Sequence, residues 1–210
     1  GVHDGDADRV IFCDAHGREV NGDRIIGMCA LDYKERGRLS GDTVVVTSMS
    51  NLGLSEALAQ FGINVIQTDV GDRNVIEEMC RNNYNIGGEQ SGHVIFMDYS
   101  TTGDGIITAL HILKLMKSTN KTLAELAGFM REFPQQLISL PVSEKVPFSK
   151  LPGLTDTIRR CEAELGDSGR TVVRYSGTEN KIRVLLEASE AAAVERWSNE
   201  FTDVIKRELD

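Results

Sequence analysis

Three aspartates alternate near the start of the chain. Asp4, Asp6 and Asp8 are separated by single small residues, and Arg9 follows them. In an extended or looped segment, alternate side chains point the same way, so the three carboxylates can converge. Converged carboxylates repel one another, and a hard divalent cation relieves that repulsion. The spacing predicts a metal-binding loop, and the alternative is a solvated acidic turn.

Two other classes of acidic loop do not fit this segment. An EF-hand needs Gly at its sixth position and Glu at its twelfth, where this chain has Arg9 and Ala15. A phosphatase of the haloacid-dehalogenase class places its Asp-x-Asp pair after a strand. Here the apolar, β-prone run at 10–14 follows the aspartates instead.

A second candidate site is the glycine-rich segment GGEQSGH at 87–93. Its three glycines allow the backbone to approach a ligand closely. Glu89, Ser91 and His93 alternate and are predicted to share one side of the segment. They offer a carboxylate, a hydroxyl and an imidazole, which suit a polyhydroxy ligand. The alternative is a glycine-rich hairpin with polar residues at its tip.

A third candidate site is the loop that begins at Arg174 and includes Ser176, Gly177 and Thr178. A guanidinium group, two hydroxyls and flexible main-chain amides suit a tetrahedral dianion. The segment carries local positive charge in a chain whose net charge is −9, so it predicts a phosphate site. The alternative is an ordinary turn between strands that is capped by hydroxyls.

Two shorter segments and two single side chains carry weaker signals. Arg73 lies at the start of a predicted helix, where anions are favoured, although an ordinary helix start explains it as well. The segment at 101–105 is interpreted mainly as a helix cap, with Asp104 as N-cap. His111 and Trp197 lie within predicted helices, and we interpret them as packing residues.

The elements that position the first two sites alternate between strand and helix. Apolar runs at 43–47 and 63–68 are typical of buried parallel strands, and a third strand follows at Ile86. Helical patterns lie between and after them, and this alternation predicts an α/β layer. The predicted elements are a hairpin at 10–20, helices at 23–39, 52–61, 72–82, 105–117 and 122–131, and strands at 43–47, 63–68 and 86.

The pattern changes near Pro134, where the segment at 135–142 is predicted to be a strand. A helix near 154–165, strands at 171–175 and 182–187 and a helix at 190–209 follow. We therefore predict an α/β fold: a mixed sheet layered with helices, followed by a smaller α+β domain whose sheet is largely antiparallel. The boundary is placed between 133 and 136.

Composition excludes several classes of function. Hydrophobic residues make up 40% of the 210 residues and charged residues 26%, which is ordinary for a globular protein. The acidic balance and the absence of a Lys/Arg block argue against nucleic-acid and membrane partners. No apolar run approaches the roughly 18 residues of a spanning helix. The four cysteines are far apart, so we expect buried free thiols in a reducing cytoplasm.

The order of the three motifs resembles the alpha-D-phosphohexomutase superfamily. DGDADR at 4–9, GGEQSGH at 87–93 and RYSGTEN at 174–180 occur in that family's sequence order. MSNLG at 49–53 and Gln90 resemble its amino-sugar branch. Asn180 departs from the Pro that is common at its position. The resemblance implies that 1–20 ends a second domain carrying the metal loop, that 21–135 is a third, sugar-binding domain, and that 136–210 is a fourth, phosphate-binding domain.

The resemblance also implies a reaction. Family members transfer a phosphoryl group through a phosphoserine and have four domains around one cleft. The serine and the N-terminal domains would be missing here, and the absence of an initiator Met also suggests a fragment. The implied reaction interconverts glucosamine 6-phosphate and glucosamine 1-phosphate through a bisphosphate intermediate. The fragment alone is expected to be inactive.

Residue roles follow from the same resemblance. Mg²⁺ would be held by the three aspartates, and Arg9 would contact the transferring phosphoryl group as the catalytic residue. Glu89 and Ser91 would bind sugar hydroxyls, with His93 and Arg73 as further substrate-binding residues. The residues expected to bind the non-reacting phosphate are Arg174, Ser176, Gly177 and Thr178. Two alternatives remain: a phosphoglucomutase or phosphomannomutase of the same superfamily, and a non-catalytic phosphosugar-binding module.

Overall fold

The computed structural model describes residues 1–209, which form two compact units. The first unit covers 1–132, and the second begins at Phe133. Each unit has its own buried apolar cluster.

The first unit opens with a small antiparallel sheet in the order β1-β2-β3. The hairpin predicted at 10–20 is confirmed, and the carboxylate of Asp14 holds its turn by accepting the main-chain amides of His16 and Arg18 at 2.8 and 3.0 Å. A short strand that was not predicted pairs with it on the N-terminal side. The strands are β1 Val2–His3, β2 Val10–Cys13 and β3 Glu19–Val20.

A four-stranded mixed sheet forms the centre of this unit, in the order β5-β4-β6-β7. β4 is parallel to β5 and β6, whereas β6 and β7 are antiparallel. All five residues of β4 are buried, as its continuous apolar run predicts. The strands are β4 Thr43–Thr47, β5 Asn64–Thr68, β6 Ile86–Gly88 and β7 Val94–Phe96.

Five helices complete the first unit, and side-chain caps fix where most of them begin. Asp104 accepts the amides of Ile106 and Ile107, and Thr122 forms the predicted capping box with Glu125. The helices are α1 Gly22–Glu35, α2 Leu52–Ala59, α3 Asp72–Asn82, α4 Gly105–Thr119 and α5 Leu123–Ala127.

α5 is shorter than the helix predicted at 122–131. Gly128 is its C-cap, and the guanidinium of Arg24 donates to the carbonyls of Ala127 and Met130. A helix that continued would satisfy the Ala127 carbonyl with a later main-chain amide. Because Arg24 binds these carbonyls instead, the chain leaves the helix early.

The second unit is an antiparallel sheet in the order β8-β10-β9, packed with two helices. Trp197 is 3% exposed and packs beside Phe201, which confirms it as a packing residue. The elements are β8 Gln135–Pro141, α6 Pro152–Leu165, β9 Gly169–Tyr175, β10 Lys181–Ala188 and α7 Ala191–Leu209.

The predicted fold class is confirmed, namely a mixed sheet with helices followed by a smaller domain with an antiparallel sheet. The cysteines are free, as predicted, but only two are buried. Cys29 and Cys161 lie in the cores, and burial raises the pKa of the Cys161 thiol to about 12. Cys13 and Cys80 are exposed, so the prediction of burial is wrong for them. Within the described residues, no helix is long and apolar enough to cross a membrane.

Candidate functional site

The acidic loop brings its three carboxylates together. Ligand oxygens of Asp4, Asp6 and Asp8 all lie within 4.8 Å of one another. The chain turns at Ala7, whose φ is 60°, and the amide of Gly105 at the start of α4 donates to the Ala7 carbonyl at 2.9 Å. In the described part of the chain, this is the one group of carboxylate, His and Cys ligands compact enough to share a cation.

The charges of this loop are not balanced by its own arginine. Arg9 Nε lies 3.8 Å from carboxylate oxygens of Asp4 and Asp8. Burial, a hydrogen bond with Asp4 and the charge of Asp6 raise the pKa of Asp8 above its ordinary value. Burial also opposes ionisation of Asp4, but bonds from the Arg9 amide and from Asp8 lower its pKa. Oxygen ligands under mutual repulsion suit a hard divalent cation such as Mg²⁺.

His93 links the acidic loop to the glycine-rich segment. It is 3% exposed, and its Nε2 lies 3.6 Å from Asp8 Oδ2. Arg9 and His93 also form an isolated antiparallel bridge between their main chains. Gly103 packs on the imidazole so closely that a Cβ there would lie 2.4 Å from Nε2. The imidazole is therefore fixed in place against the acidic loop.

The turn at 89–92, between β6 and β7, carries the other two predicted side chains on its outer side. Ser91 Oγ donates to Glu89 Oε2 at 3.3 Å, and the amide of Gly71 donates to Glu89 Oε1 at 3.3 Å. The prediction that His93 shares this side is wrong. The chain reverses at Gly92, whose φ is 92°, so strand alternation does not continue through the turn and His93 points inward.

Arg73 does not contribute a free positive charge at the start of α3. Its side chain is 87% exposed, and Nε lies 2.8 Å from the carboxylate of Glu77, one helical turn later. That hydrogen bond raises the pKa of Arg73. The predicted segment does lie beside the turn, but the contact is made by Gly71 and Glu89.

The third predicted site belongs to the second unit, where a loop joins β9 to β10. Ser176 is 3% exposed, and its Oγ accepts the amide of Glu179 at 3.3 Å, so this hydroxyl stabilises the loop from inside. Its assignment to phosphate binding stays a prediction. Lys145 Nζ donates to the Ser176 carbonyl at 2.7 Å. The exposed residues of the loop are Gly177, Thr178, Glu179 and Asn180.

Two arginines lie directly opposite each other beside this loop. Arg174 of β9 pairs in register with Arg183 of β10. Glu179 bonds Arg183 at 3.2 Å and Lys181 at 2.6 Å, and these cations lower the pKa of its carboxyl. Arg174 has no ion pair within residues 1–209. Like charges placed opposite each other in a sheet are destabilising, and a bound anion would relieve that repulsion.

Two supporting side chains were not predicted from the sequence. Asp23 is a buried carboxylate at the start of α1 that accepts hydrogen bonds from Asn51 and Gln90. An acidic residue in the first turn of a helix is common, so the residue type and position of Asp23 did not mark it as a functional residue. Lys145 lies in a segment punctuated by prolines, and its bond to the loop is visible only in the folded chain.

Comparison with protein families gives two matches that together cover most of the chain. Residues 21–133 match the model described as phosphoglucomutase/phosphomannomutase, alpha/beta/alpha domain III. Residues 137–204 match the C-terminal domain of phosphoglucomutase/phosphomannomutase.

Similar curated proteins are named phosphoglucosamine mutase. Those of Syntrophotalea carbinolica and Bdellovibrio bacteriovorus are each 49% identical over 206 residues, which is 98% of this chain and 45% of theirs. The chain therefore spans about half the length of the curated relatives it matches. A crystal structure of Aspergillus fumigatus N-acetylphosphoglucosamine mutase with GlcNAc-6P and magnesium has the same fold, with a TM-score of 0.80 and 21% identity over 99% of this chain and 48% of that one.

The packing of Gly103 on His93 gives a test of the link between the two loops. Gly103→Ala should displace the imidazole from Asp8, because the added methyl group would overlap the ring. We expect the His93 side-chain NMR resonances to shift and the melting temperature to fall by several degrees, since overpacking a buried site costs about 1–3 kcal/mol.

The matched control is Gly128→Ala, whose methyl group would lie 3.4 Å from its nearest neighbours. Unchanged His93 resonances in Gly103→Ala would contradict the described packing.

Proposed function

The chain belongs to the phosphoglucomutase/phosphomannomutase family, and we propose that it forms the metal-, sugar- and phosphate-binding part of a phosphoglucosamine mutase. The observation that carries the substrate branch is 49% identity over 98% of the chain to proteins of that name. The geometry supports the assignment, because the acidic loop and the turn at 89–92 are bonded to each other within one unit.

The proposed reaction interconverts glucosamine 6-phosphate and glucosamine 1-phosphate. A phosphoserine would give its phosphoryl group to the sugar and recover one from the other end of a bisphosphate intermediate. The serines in the candidate sites are poor nucleophiles, because Ser176 is buried in its loop and Ser91 donates at 3.3 Å to Glu89, a weakly basic carboxylate whose other oxygen accepts the Gly71 amide. We therefore place the nucleophile in the part of the curated relatives that this chain does not span.

Asp4, Asp6 and Asp8 would hold Mg²⁺. When bound, the cation would neutralise charge on the phosphoryl group during transfer. His93 would keep Asp8 in position, since its Nε2 lies 3.6 Å from that carboxylate and the ring is buried. Arg9 is half exposed, and its Nε comes no closer than 3.8 Å to a carboxylate oxygen of Asp4 or Asp8. Its guanidinium is therefore held loosely and can contact the transferring group.

Glu89 and Ser91 would bind sugar hydroxyls. Both side chains lie on the outer side of the turn and are already bonded to each other, so their donor and acceptor groups are oriented before a sugar arrives. A carboxylate can also accept a hydrogen bond from the amino group of a hexosamine. Arg73 would act on the substrate through its charge and not through a direct hydrogen bond, since its guanidinium is paired with Glu77.

The loop at 176–180 would bind the phosphate that does not react. Arg174 would supply a charge-assisted hydrogen bond, and Gly177 and Thr178 would supply an exposed amide and hydroxyl. Ser176 would act through its main chain and by holding the loop together. Glu179 would keep Lys181 and Arg183 oriented until a phosphate dianion competes for them.

The metal assignment can be tested with this chain alone. We expect weak binding, with a dissociation constant on the order of 1 mM, because few protein oxygens are available and Mg²⁺ keeps much of its water. Paramagnetic Mn²⁺ should broaden the NMR signals of residues 4–9 and His93 first. Asp8→Asn should weaken binding at least about tenfold, a loss of about 1.4 kcal/mol.

Asp167→Asn, an exposed substitution in the second unit, is the control. Broadening centred elsewhere, or an unaffected Asp8→Asn variant, would refute the assignment.

The phosphate assignment predicts a loss of affinity on removal of Arg174. A hydrogen bond to a charged group contributes about 1.5–3 kcal/mol, so Arg174→Ala should weaken binding of glucosamine 6-phosphate by about ten- to one-hundredfold. The measurement is a titration followed by ³¹P NMR, and Arg174→Lys should recover part of the affinity.

Arg159→Ala removes an arginine that is 77% exposed in the same unit and should leave binding unchanged. Equal affinities in Arg174→Ala and the unsubstituted chain would assign Arg174 a purely structural role.

A further inference from the structure

Asp23 is a fully buried carboxylate that the proposed reaction does not use. It lies in the first turn of α1 with no exposed surface. Burying a carboxylate is costly unless hydrogen bonds compensate it. Its Oδ2 accepts the main-chain amide of Asn51 at 2.8 Å and the side-chain amide of Gln90 at 3.2 Å. One buried oxygen thus joins three segments that are distant in sequence.

Gln90 lies between the two proposed sugar ligands but points away from them. Glu89 and Ser91 bond to each other, whereas the Gln90 side chain turns inward to Asp23. The main chain is held at the same place, because the amide of Gly22 donates to the Gln90 carbonyl at 2.9 Å. Residue 90 is therefore fixed through both its side chain and its carbonyl by two consecutive residues of α1.

The close approach of α1 to the turn requires glycine at position 22. A Cβ there would lie 2.0 Å from the carbonyl oxygen of Glu89 and 2.8 Å from the amide nitrogen of Gly92. Any larger residue would push the turn away from the helix and would break the bond from Gln90 to Asp23 as well.

We propose that Asp23 is a positioning residue for the turn at 89–92, and that Gln90 influences sugar binding through Asp23 instead of by contact with the sugar. This rests on the proposed function of the turn. The Asp23 carboxylate determines the positions of Glu89 and Ser91, because it holds the side chain of Gln90, the residue between them. Because the same oxygen accepts the Asn51 amide, it also ties the turn to the cap of α2.

Exchanging the hydrogen-bonding groups of the pair tests the proposal. Gln90→Glu places two carboxylates face to face and should loosen the turn. Asp23→Asn alone should have a small effect, because the Asn side-chain oxygen can take the place of Oδ2 and accept both the Asn51 and the Gln90 amides. The double variant Asp23→Asn, Gln90→Glu removes the repulsion between two carboxylates. Its new side-chain oxygen at position 23 must still accept the Asn51 amide, so the recovery of native behaviour should be partial.

The first measurement is hydrogen exchange of the amides of Gly22, Glu89 and Gly92, each of which is bonded within or to the turn. We expect exchange in Gln90→Glu to be at least about tenfold faster, with the rate partly recovered in the double variant. Gln60→Glu, at an exposed position, is the matched control. If Gln90→Glu does not fold, Gln90→Leu removes the donor without adding charge and should give a smaller acceleration.

The second measurement separates positioning from general stability. Gln90→Glu should weaken binding of glucosamine 6-phosphate about tenfold but leave binding of inorganic phosphate, which the second unit would take, unchanged. The double variant should recover part of the sugar phosphate affinity. Unchanged exchange and affinity in Gln90→Glu, or no recovery in the double variant, would overturn the proposal.

The two measurements also distinguish this proposal from the proposed function. If the unsubstituted chain bound glucosamine 6-phosphate no better than inorganic phosphate, the function of the turn would be wrong. The exchange rates would still decide whether Asp23 positions the turn.

Discussion

The main chain of the turn at 89–92 is bonded from two sides, and both contacts depend on glycine. The Gly92 carbonyl accepts the amide of Val10, and the Gln90 carbonyl accepts the amide of Gly22. A side chain at position 22 or 92 would collide with main-chain atoms at 2.0 or 2.4 Å. Because no neighbouring backbone could yield that much space, the turn, strand β2 and the start of α1 form one rigid arrangement.

This arrangement explains how an exposed acidic loop can keep a defined geometry. The loop has few internal hydrogen bonds, and its carboxylates repel one another. Contacts with neighbouring segments hold its shape: the Gly105 amide of α4 donates to the Ala7 carbonyl, and His93, which follows the turn, lies beside Asp8. Preorganised oxygen ligands reduce the cost of capturing a cation. The loop at 176–180 in the second unit follows the same principle, since Lys145 and Ser176 fix its main chain.

The parts of the fold that sequence reasoning predicted are those encoded by local interactions. The apolar run of β4, the period of α3 and the caps Asp104 and Thr122 each depend on residues a few positions apart. α5 was predicted too long because Arg24, which binds its terminal carbonyls, is about one hundred residues away in sequence. Short β7 was missed because three residues give no clear period.

The candidate site also contains features that local spacing predicts and features that depend on distant parts of the chain. The convergence of the three aspartates was predicted from their spacing and is observed, although a turn at Ala7 produces it and not an extended chain. The inward direction of His93 depends on a chain reversal at Gly92, and the role of Asp23 depends on its contact with a residue 67 positions later. The opposition of Arg174 and Arg183 is set by strand register, which no local pattern specifies.

Under the proposed function, these residues bind the metal and the sugar phosphate but supply no nucleophile. A mutase assay of the purified, folded chain with glucosamine 6-phosphate, Mg²⁺ and a bisphosphate primer tests it most directly, with the Syntrophotalea carbinolica enzyme as positive control. Alignment of reactants can supply about 7–11 kcal/mol of a barrier, but without a group to carry the phosphoryl it cannot produce turnover. We expect no glucosamine 1-phosphate above background, and steady turnover that copurifies with the folded chain would show that a nucleophile lies within these residues.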